Sequence, residues 1–412
     1  MGAVGALDAP GRTTSLAEAR SRGKAPRRIM GRMGRNPTRR GALPGRAAFG
    51  RALLAWFDRC RRDLPWRSTR DPYGVLVSEV MLQQTQAARV AEYWPRFVAR
   101  FPTLRSLASA RLDDVLAAWS GLGYYRRARA LRDAARAVVA SRRGALPRTA
   151  GGLRELPGVG EYTAAAVASI AFGEALPVLD ANAARVLSRV LAVRRGAATS
   201  AGRTSLLEGG TRLIDRARPG DWNQAVMELG ATVCLPAAPR CGECPVRVHC
   251  LALRRGCPGS YGSRGRGAEP LTVVEAAAVV TRGARVLLVR GEHPRGWWRG
   301  LWALPRAHAH VEPADPARLA ASLALEVRRA SGLACRFDAA PSVARYSVTR
   351  HRVTMLVFRA TEVSGRIRAG SAASWFDADR LAGVGVPAPD RRVLGPPWGA
   401  GREATPPGRR RR

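Results

Sequence analysis

Between Phe49 and about Ser188 apolar residues recur at three- and four-residue spacing, as in Val75, Val77, Val80, Met81 and Leu82, then Val90, Tyr93, Trp94, Phe97 and Val98. That period belongs to amphipathic helices. Phe101-Pro102-Thr103, Gly121-Leu122-Gly123 and Gly151-Gly152 cut the pattern into helices of ordinary length, without β-alternation, so a compact helical bundle is expected. Helical spacing resumes from Thr204 to about Gly230 and ends among cysteines. After a Gly/Arg stretch reaching Gly267 the texture changes. Ala276 to Val280 and Arg285 to Arg290 flank Arg282-Gly283-Ala284 as two strands of a hairpin should. Helical spacing at Leu319 to Ala330 and strand-like runs at Val343 to Val348 and Val353 to Arg359 then predict a second, α+β domain. The expected division is a disordered basic arm at 1–48, a helical domain at 49–255, a linker at 256–270, the α+β domain at 271–390 and a disordered basic tail at 391–412.

Composition narrows the partners. The chain has 412 residues, 46% of them hydrophobic, enough for two or three domains with ample core. Lys plus Arg number 69 against 31 Asp plus Glu, a formal net charge of +38, which points to an acidic polymer, DNA or RNA ahead of an anionic membrane. Part of that charge is compositional bias towards arginine, since Lys24 is the sole lysine. No run of 18 apolar residues and no secretory signal pattern occur, so neither membrane insertion nor secretion is expected. Seven cysteines, four of them crowded between Cys234 and Cys250, suit metal binding in a reducing compartment better than a disulfide framework. The expected location is cytoplasmic or nuclear, and cytoplasmic with the nucleoid if the source is bacterial.

Four segments carry candidate chemistry. Cys234, Cys241, Cys244 and Cys250 stand as C-x6-C-x2-C-x5-C. Structural zinc usually draws on two separated C-x2-C knuckles, whereas one loop with a single close pair and two outliers suits the corners of a 4Fe-4S cluster. Leu156-Pro157-Gly158-Val159-Gly160 lies between helical segments. Gly158 and Gly160 permit a tight turn whose N–H groups meet a helix N-terminus, an anion cradle or an ordinary glycine turn. Asp180 enters another helix at an N-cap position, and a plain cap is its simplest reading in isolation. Glu79 lies between Val77 and Val80-Met81-Leu82. A carboxyl in such apolar company tends to stay protonated, as a general acid should, although a single helical Glu is ordinarily on the wet face. Gln83-Gln84-Thr85 follows, amides and a hydroxyl able to fill a gap in a duplex or read a base edge.

In order, Leu64-Pro65-Trp66-Arg67, Ser78 to Gln86, Gly121-Leu122-Gly123-Tyr124-Tyr125, the L-P-G-V-G hairpin, Leu179-Asp180-Ala181-Asn182 and the cysteine loop resemble the helix-hairpin-helix DNA glycosylases, and within them the MutY-type adenine DNA glycosylases. The resemblance spans Phe49 to about Cys250. It implies a mainly α, two-lobed helix-hairpin-helix domain with an iron-sulfur cluster loop, and a flipped adenine held between the lobes. By similarity Glu79 protonates the departing base and Asp180, kept ionised, meets the positive charge growing on the sugar. Where strand-cutting relatives carry a nucleophilic lysine, two residues after the last hairpin glycine, this chain has Tyr162, which implies base removal without strand cleavage. The same resemblance places Trp66, Arg67, Leu82 and Gln224 around adenine, Gln84 and Tyr124 at the vacated stack, and Asn182 beside Asp180.

About Leu271 to Pro389 resembles the Nudix-like domain with which such enzymes inspect 8-oxoguanine opposite adenine, most clearly at Gly296 to Pro305. A working Nudix hydrolase needs several glutamates for magnesium, but Leu323 to Leu333 offers only Glu326, so pyrophosphatase activity is not expected. At the turn where the family usually carries a Phe-Ser-His-like triplet stand Val348-Thr349-Arg350-His351; Thr349 keeps a hydroxyl and Arg350 replaces histidine. The resemblance thus implies a monomer acting on double-stranded DNA with adenine opposite 8-oxoguanine or guanine, in base excision repair. Two alternatives stand beside it: a thymine or uracil mismatch glycosylase on the same scaffold, opposed by Gln224 and the inspection domain, and a catalytically silent DNA-binding protein, opposed by Glu79 and Asp180.

Overall fold

The computed structural model describes residues 45–194, 196–262, 269–290, 293, 296–308, 315–377 and 379–395. All lie within the second of two compact units, Leu43–Arg412. Residues 1–44 of the expected arm, 263–268 of the expected linker and 396–412 of the expected tail fall outside the described residues. No helix among the described residues is long and apolar enough to cross a membrane.

Helices fill the first part: α1 (Arg46–Cys60), α2 (Pro72–Leu82), α3 (Ala87–Arg100), α4 (Leu104–Ser109), α5 (Leu112–Ala118), α6 (Arg126–Arg142), α7 (Ala150–Arg154), α8 (Glu161–Phe172), α9 (Ala181–Val190), α10 (Ser200–Leu213), α11 (Pro219–Thr232) and α12 (Leu251–Arg254). The first begins at Arg46, before the expected Phe49. Two apolar cores divide them. One joins α2 to α8 around Leu76, Met81, Phe97, Trp119 and Val167. The other joins α1 to α9, α10 and α11 around Phe49, Phe57, Leu187 and Trp222. The chain therefore makes two lobes, with its N-terminal helix completing the second. Burying two separate apolar faces leaves a junction where polar groups from both lobes meet.

Local signals set where the helices carrying candidate residues begin. Asp71 caps α2, its carboxylate accepting from the Tyr73 and Gly74 N–H groups, with Pro72 at the first position. Gly160 opens α8, and Gly173, left-handed at φ 75°, ends it. Asp180 caps α9, accepting from Ala183 N–H at 2.6 Å, so the cap expected from the sequence is present.

The second part is α+β, and the mainly helical domain followed by an α+β domain is the class read from the sequence. Its strands are β1 (Leu271–Val279), β2 (Thr281–Arg282), β3 (Arg285–Arg290), β4 (Trp302–Ala303), β5 (Arg306–His308), β6 (Ala334–Phe337), β7 (Ser342–Val348), β8 (His351–Ser364) and β9 (Ala373–Asp377). One sheet runs β5-β1-β8, with β6 and β7 both pairing β8; the other has β3 bound by β2, β4 and β9. The hairpin expected of Ala276–Val280 and Arg285–Arg290 is present at its tip, where Val280 O accepts from Leu287 N at 2.9 Å, and is corrected beyond it. Strand β1 pairs in parallel with β8 and antiparallel with β5, and only the two residues of β2 pair with β3. Ala276, Ala277 and Ala278 are all fully buried, so this stretch is a central strand covered on both faces, not half of an exposed ribbon. Helix α13 (Pro316–Ser331) covers one face through Leu319, Leu323 and Val327, while Val386 and Leu394, flanking α14 (Ala388–Val393), join the core on the other. Helix α14 crosses the expected tail boundary at 390.

Candidate active site

Glu79 sits on α2 within the first core and is 3% exposed. Burial pushes its carboxyl up to about 7; the Tyr162 hydroxyl and, more weakly, Arg67 pull it down, and the charge of Asp180 raises it again. Its Oε2 has no hydrogen-bond partner among the described residues, so nothing offsets that oxygen's loss of water. The proton is thus favoured by surroundings, as the apolar neighbours in the sequence suggested.

Asp180 approaches from the other lobe. Burial raises its pKa, while N–H groups of Ala183 and Asn182, the Asn182 amide and Arg185 work in the opposite direction. The amide of Asn182 donates to Oδ2 at 3.2 Å. Arg185 orders that amide in turn: Nη2 donates to Asn182 Oδ1 at 2.9 Å and Gly230 O at 2.7 Å, and Nε donates to Cys234 O at 2.8 Å. One ten-residue helix, α9, therefore carries an acid at its start and grips the cysteine loop along its length. Tyr162, near the start of α8, places its hydroxyl 3.4 Å from Met227 Sδ and beside Glu79. The phenol pKa is raised well above its ordinary value, chiefly by burial and then by Glu79 and Asp180. Glu79, Asp180, Tyr162 and Asn182 form one group.

Around them the other candidates divide. Trp66 is buried in the first core, in a short turn of 3-10 helix at Pro65–Arg67. Arg67 Nη2 donates to Glu228 Oε2 at 2.8 Å, and Arg62 Nε reaches Oε1 at 2.7 Å. Although burial acts against it, these hydrogen bonds bring Glu228 down to about 2. Arg67 thus ties the lobes together beside the acid. Leu82 and Gln224 are half-buried at the end of α2 and on α11. Gln83 Nε2 donates to Thr163 Oγ1 at 3.0 Å. Gln84 and Tyr124 are both exposed and both left-handed, at φ 57° and 49°, a conformation uncommon outside glycine. Exposed tips held in a sparsely populated backbone conformation are a common feature of functional sites.

Arg127 holds those tips. Nearly buried, it donates through Nη1 to Val80 O at 3.0 Å and Met81 O at 2.7 Å, and also to Gln83 O. Through Nη2 it donates to Thr85 Oγ1 at 3.0 Å, Gly123 O at 3.1 Å and Leu122 O at 3.3 Å. Its guanidinium also lies over the Trp119 and Tyr124 rings. Burial lowers its pKa to about 10.

Between α7 and α8, Gly158 is left-handed at φ 72°, and a Cβ there would stand 2.3 Å from Ala130 Cβ. Only glycine fits, and the exposed Gly160 N–H end of α8 is open to an anion. Thr349 and Arg350 lie apart from the carboxylates, exposed at the β7–β8 turn. Thr349 is left-handed at φ 52°, its Oγ1 3.3 Å from His351 Nδ1. Tyr346 and Val348 of β7 pack against the first core, which also takes in Trp298 and Leu301 of the α+β part, and the Trp298 and Tyr346 ring centroids stand 6.3 Å apart.

Cys234, Cys241, Cys244 and Cys250 line one cavity with Val186, Arg189, Val233, Val246 and Leu253. None of the four is in a disulfide. Among the described residues no three His, Cys, Asp or Glu side chains are grouped closely enough to hold a metal ion; the thiols are spread around the cavity wall. Burial, and then the neighbouring sulfurs, push Cys244 up to about 12. Four thiolates there need a cationic centre between them, and Arg189 Nη1, donating to Cys234 Sγ at 3.2 Å, adds one positive charge at the wall. A soft, all-sulfur donor set around an apolar cavity fits an iron-sulfur group.

Residues 77–208 match the HhH-GPD superfamily of base excision DNA repair proteins. Over 216 residues the chain is 43% identical to the adenine DNA glycosylase of Mycobacterium tuberculosis, the match covering 52% of this chain and 71% of that protein. The chain belongs to the adenine DNA glycosylase family. It is also 51% identical over 217 residues to the adenine DNA glycosylase of Rattus norvegicus, covering 50% of this chain and 42% of that protein, so less than half the length of the rat relative is matched. A solved thermostable thymine-DNA glycosylase aligns with 51% of this chain and 97% of its own, at 30% identity and a TM-score of 0.47.

Several residues of this family member escaped the sequence reading. Glu228 sits in the apolar run Ala225-Val226-Met227-Glu228-Leu229, the same signal that drew attention to Glu79. Asn223 lies on that helix and fixes the approach to Asp180, accepting from Val178 N at 2.9 Å and donating to Leu176 O at 2.8 Å. Arg127 carries no such signal. It is one arginine among several on α6, and only the turn of the chain buries it.

Proposed function

We propose that this chain removes adenine from double-stranded DNA where it stands opposite 8-oxoguanine or guanine, by hydrolysis of the N-glycosidic bond and without cutting the strand. The observation that carries the reading is the pairing of Glu79, buried and raised to about 7, with Asp180 on the opposing lobe, next to a tyrosine instead of an amine. Protonated Glu79 gives its proton to N7 of a flipped adenine, so the C–N bond breaks with both its electrons leaving on a neutral base. The Asp180 carboxylate, oriented by Asn182 and the end of α9, stabilises the sugar cation until water adds at C1′ and loses a proton. Unequal acids dividing the roles of proton donor and anion is the logic of sugar hydrolysis as well. The Tyr162 phenol has no nitrogen with which to form a Schiff base, so the strand stays whole.

In this reading Gly158, Gly160 and the start of α8 take a DNA phosphate, while Gln84 and Tyr124 fill the vacated stack. Arg67, Leu82 and Gln224 border the base. The C-terminal domain, through Thr349 and Arg350, inspects the opposite purine. Cys234, Cys241, Cys244 and Cys250 would hold a 4Fe-4S cluster, which when bound supplies the charge that keeps four thiolates together and the 234–250 loop folded against α9. The enzyme is read as a monomer.

A duplex panel tests the reading: adenine opposite 8-oxoguanine, adenine opposite guanine, and thymine or uracil opposite guanine. Adenine loss from the first two, with strand breaks only after alkali, is expected. Release of thymine or uracil in preference would assign the scaffold to the mismatch reading, and breaks without alkali would overturn the monofunctional one.

A further inference from the structure

The C-terminal domain rests on the same turn that Arg127 ties to the acid helix. Residues Ser120 to Tyr125 join α5 to α6 and carry three left-handed positions, Gly121, Gly123 and Tyr124. From the C-terminal domain, Val386 O accepts from Ser120 Oγ at 3.2 Å and from the Tyr125 hydroxyl at 3.4 Å. Arg391 Nε donates to Ser120 Oγ at 3.2 Å. Leu116, on the helix leading into the turn, lies where a Cβ on Gly385 would stand 3.0 Å away. The 384–394 segment is itself anchored: Asp390, fully buried, accepts from Leu304 N at 2.9 Å and pairs with the buried Arg306, which reaches Glu275 in the centre of the sheet. On its other side, the turn offers the Leu122 and Gly123 carbonyls to Arg127, whose remaining bonds hold the end of α2, one turn beyond Glu79.

We propose that Ser120, clasped by Val386 and Arg391, is a positioning residue through which the C-terminal domain sets the turn, and through Arg127 the acid helix, when that domain engages the purine opposite adenine. The inference rests on the function proposed above and deepens it. Each link is a polar contact between well-packed elements, so a shift of the 384–394 segment is passed to the turn instead of being absorbed. Contacts made to 8-oxoguanine far from the glycosidic bond can thereby be spent on aligning Glu79 and the two inserting tips. With guanine opposite, the C-terminal domain gains less, and the clasp has less to transmit.

Ser120→Ala removes both clasping bonds without adding volume. Single-turnover adenine release is measured on duplexes with 8-oxoguanine or guanine opposite adenine, together with duplex affinity and thermal midpoint. The expected result is an approximately fivefold fall in the ratio of the two rates, the weight of one hydrogen-bonding hydroxyl, with affinity unchanged. Ser120→Thr, which keeps the hydroxyl, should restore the ratio, and Arg391→Met should lower it without adding fully to Ser120→Ala. An unchanged ratio, whether both rates persist or both fall together, would overturn the clasp and leave the glycosylase reading standing. Failure of the wild-type chain to release adenine from either duplex would instead remove the reading on which the inference rests.

Discussion

Replacing Gly230 by alanine strains the contact between α11 and the first residues of α9. The new Cβ would stand 2.6 Å from Asn182 Cβ and 2.9 Å from Asn182 O, where ordinary contact begins at 3.4 Å. The helices must part by roughly 1 Å, an overpacking that costs about 1–3 kcal/mol. Alanine's better helix propensity returns at most about 1 kcal/mol, so the net sign is destabilising. The thermal midpoint should therefore fall by several degrees. The effect on chemistry should be larger than that on folding, because the displaced residue is the one whose side-chain amide donates to Asp180 at 3.2 Å and accepts at Oδ1 from Arg185 at 2.9 Å. A misplacement of this size is worth on the order of a hundredfold in rate. Calorimetry and single-turnover adenine release well below the transition separate the two effects. A variant that melts as the parent does and turns over at the full rate would refute the reasoning.

Four further outcomes follow from the same geometry. Because the Glu79 carboxyl is raised to about 7 and Asp180 must be ionised, single-turnover rate should fall tenfold per unit above about 7 and fall again in acid as Asp180 takes up a proton. By the same sign, the folding stability that this carboxyl contributes is complete below about 4.5 and lost as pH rises through 7, which a series of melts would reveal. Arg67→Met should cost about 2 kcal/mol in denaturant unfolding, less than the roughly 3–5 for stripping a buried pair, because Arg62 still holds Glu228; a neutral result would discount the inter-lobe tie. Cys244→Ser should reduce bound iron and sulfide and open the 234–250 loop to protease, whereas a wild-type protein purified without iron or sulfide from iron-replete cells would count against the cluster.

Much of this was legible because the chemistry is local. Glu79 betrayed itself through its neighbours, since Val77, Val80 and Met81 cannot be buried without taking it along. Asp180 was legible as a cap, and the structure shows cap and candidate anion to be one carboxylate serving both ends. The glycine hairpin was legible because Gly158 meets a steric demand that no other residue satisfies. The strand arrangement was not, because Ala276 to Val280 shows no alternation from which to read its partner: buried on both faces, it pairs with a strand some eighty residues away. Arg127 and Arg185 were hidden for a different reason. A buried arginine is indistinguishable in sequence from a solvated one on a chain this rich in arginine, and its worth lies in carbonyls contributed by other segments.

The central claim is that a buried, protonated carboxyl at position 79 delivers the proton that lets adenine leave. Glu79→Gln keeps shape and burial but has no acidic proton to give. Single-turnover adenine release and duplex affinity, measured side by side on DNA with adenine opposite 8-oxoguanine, test it most directly. Release should fall by about 10²–10⁴-fold with affinity intact; release at the parent rate would contradict the assignment.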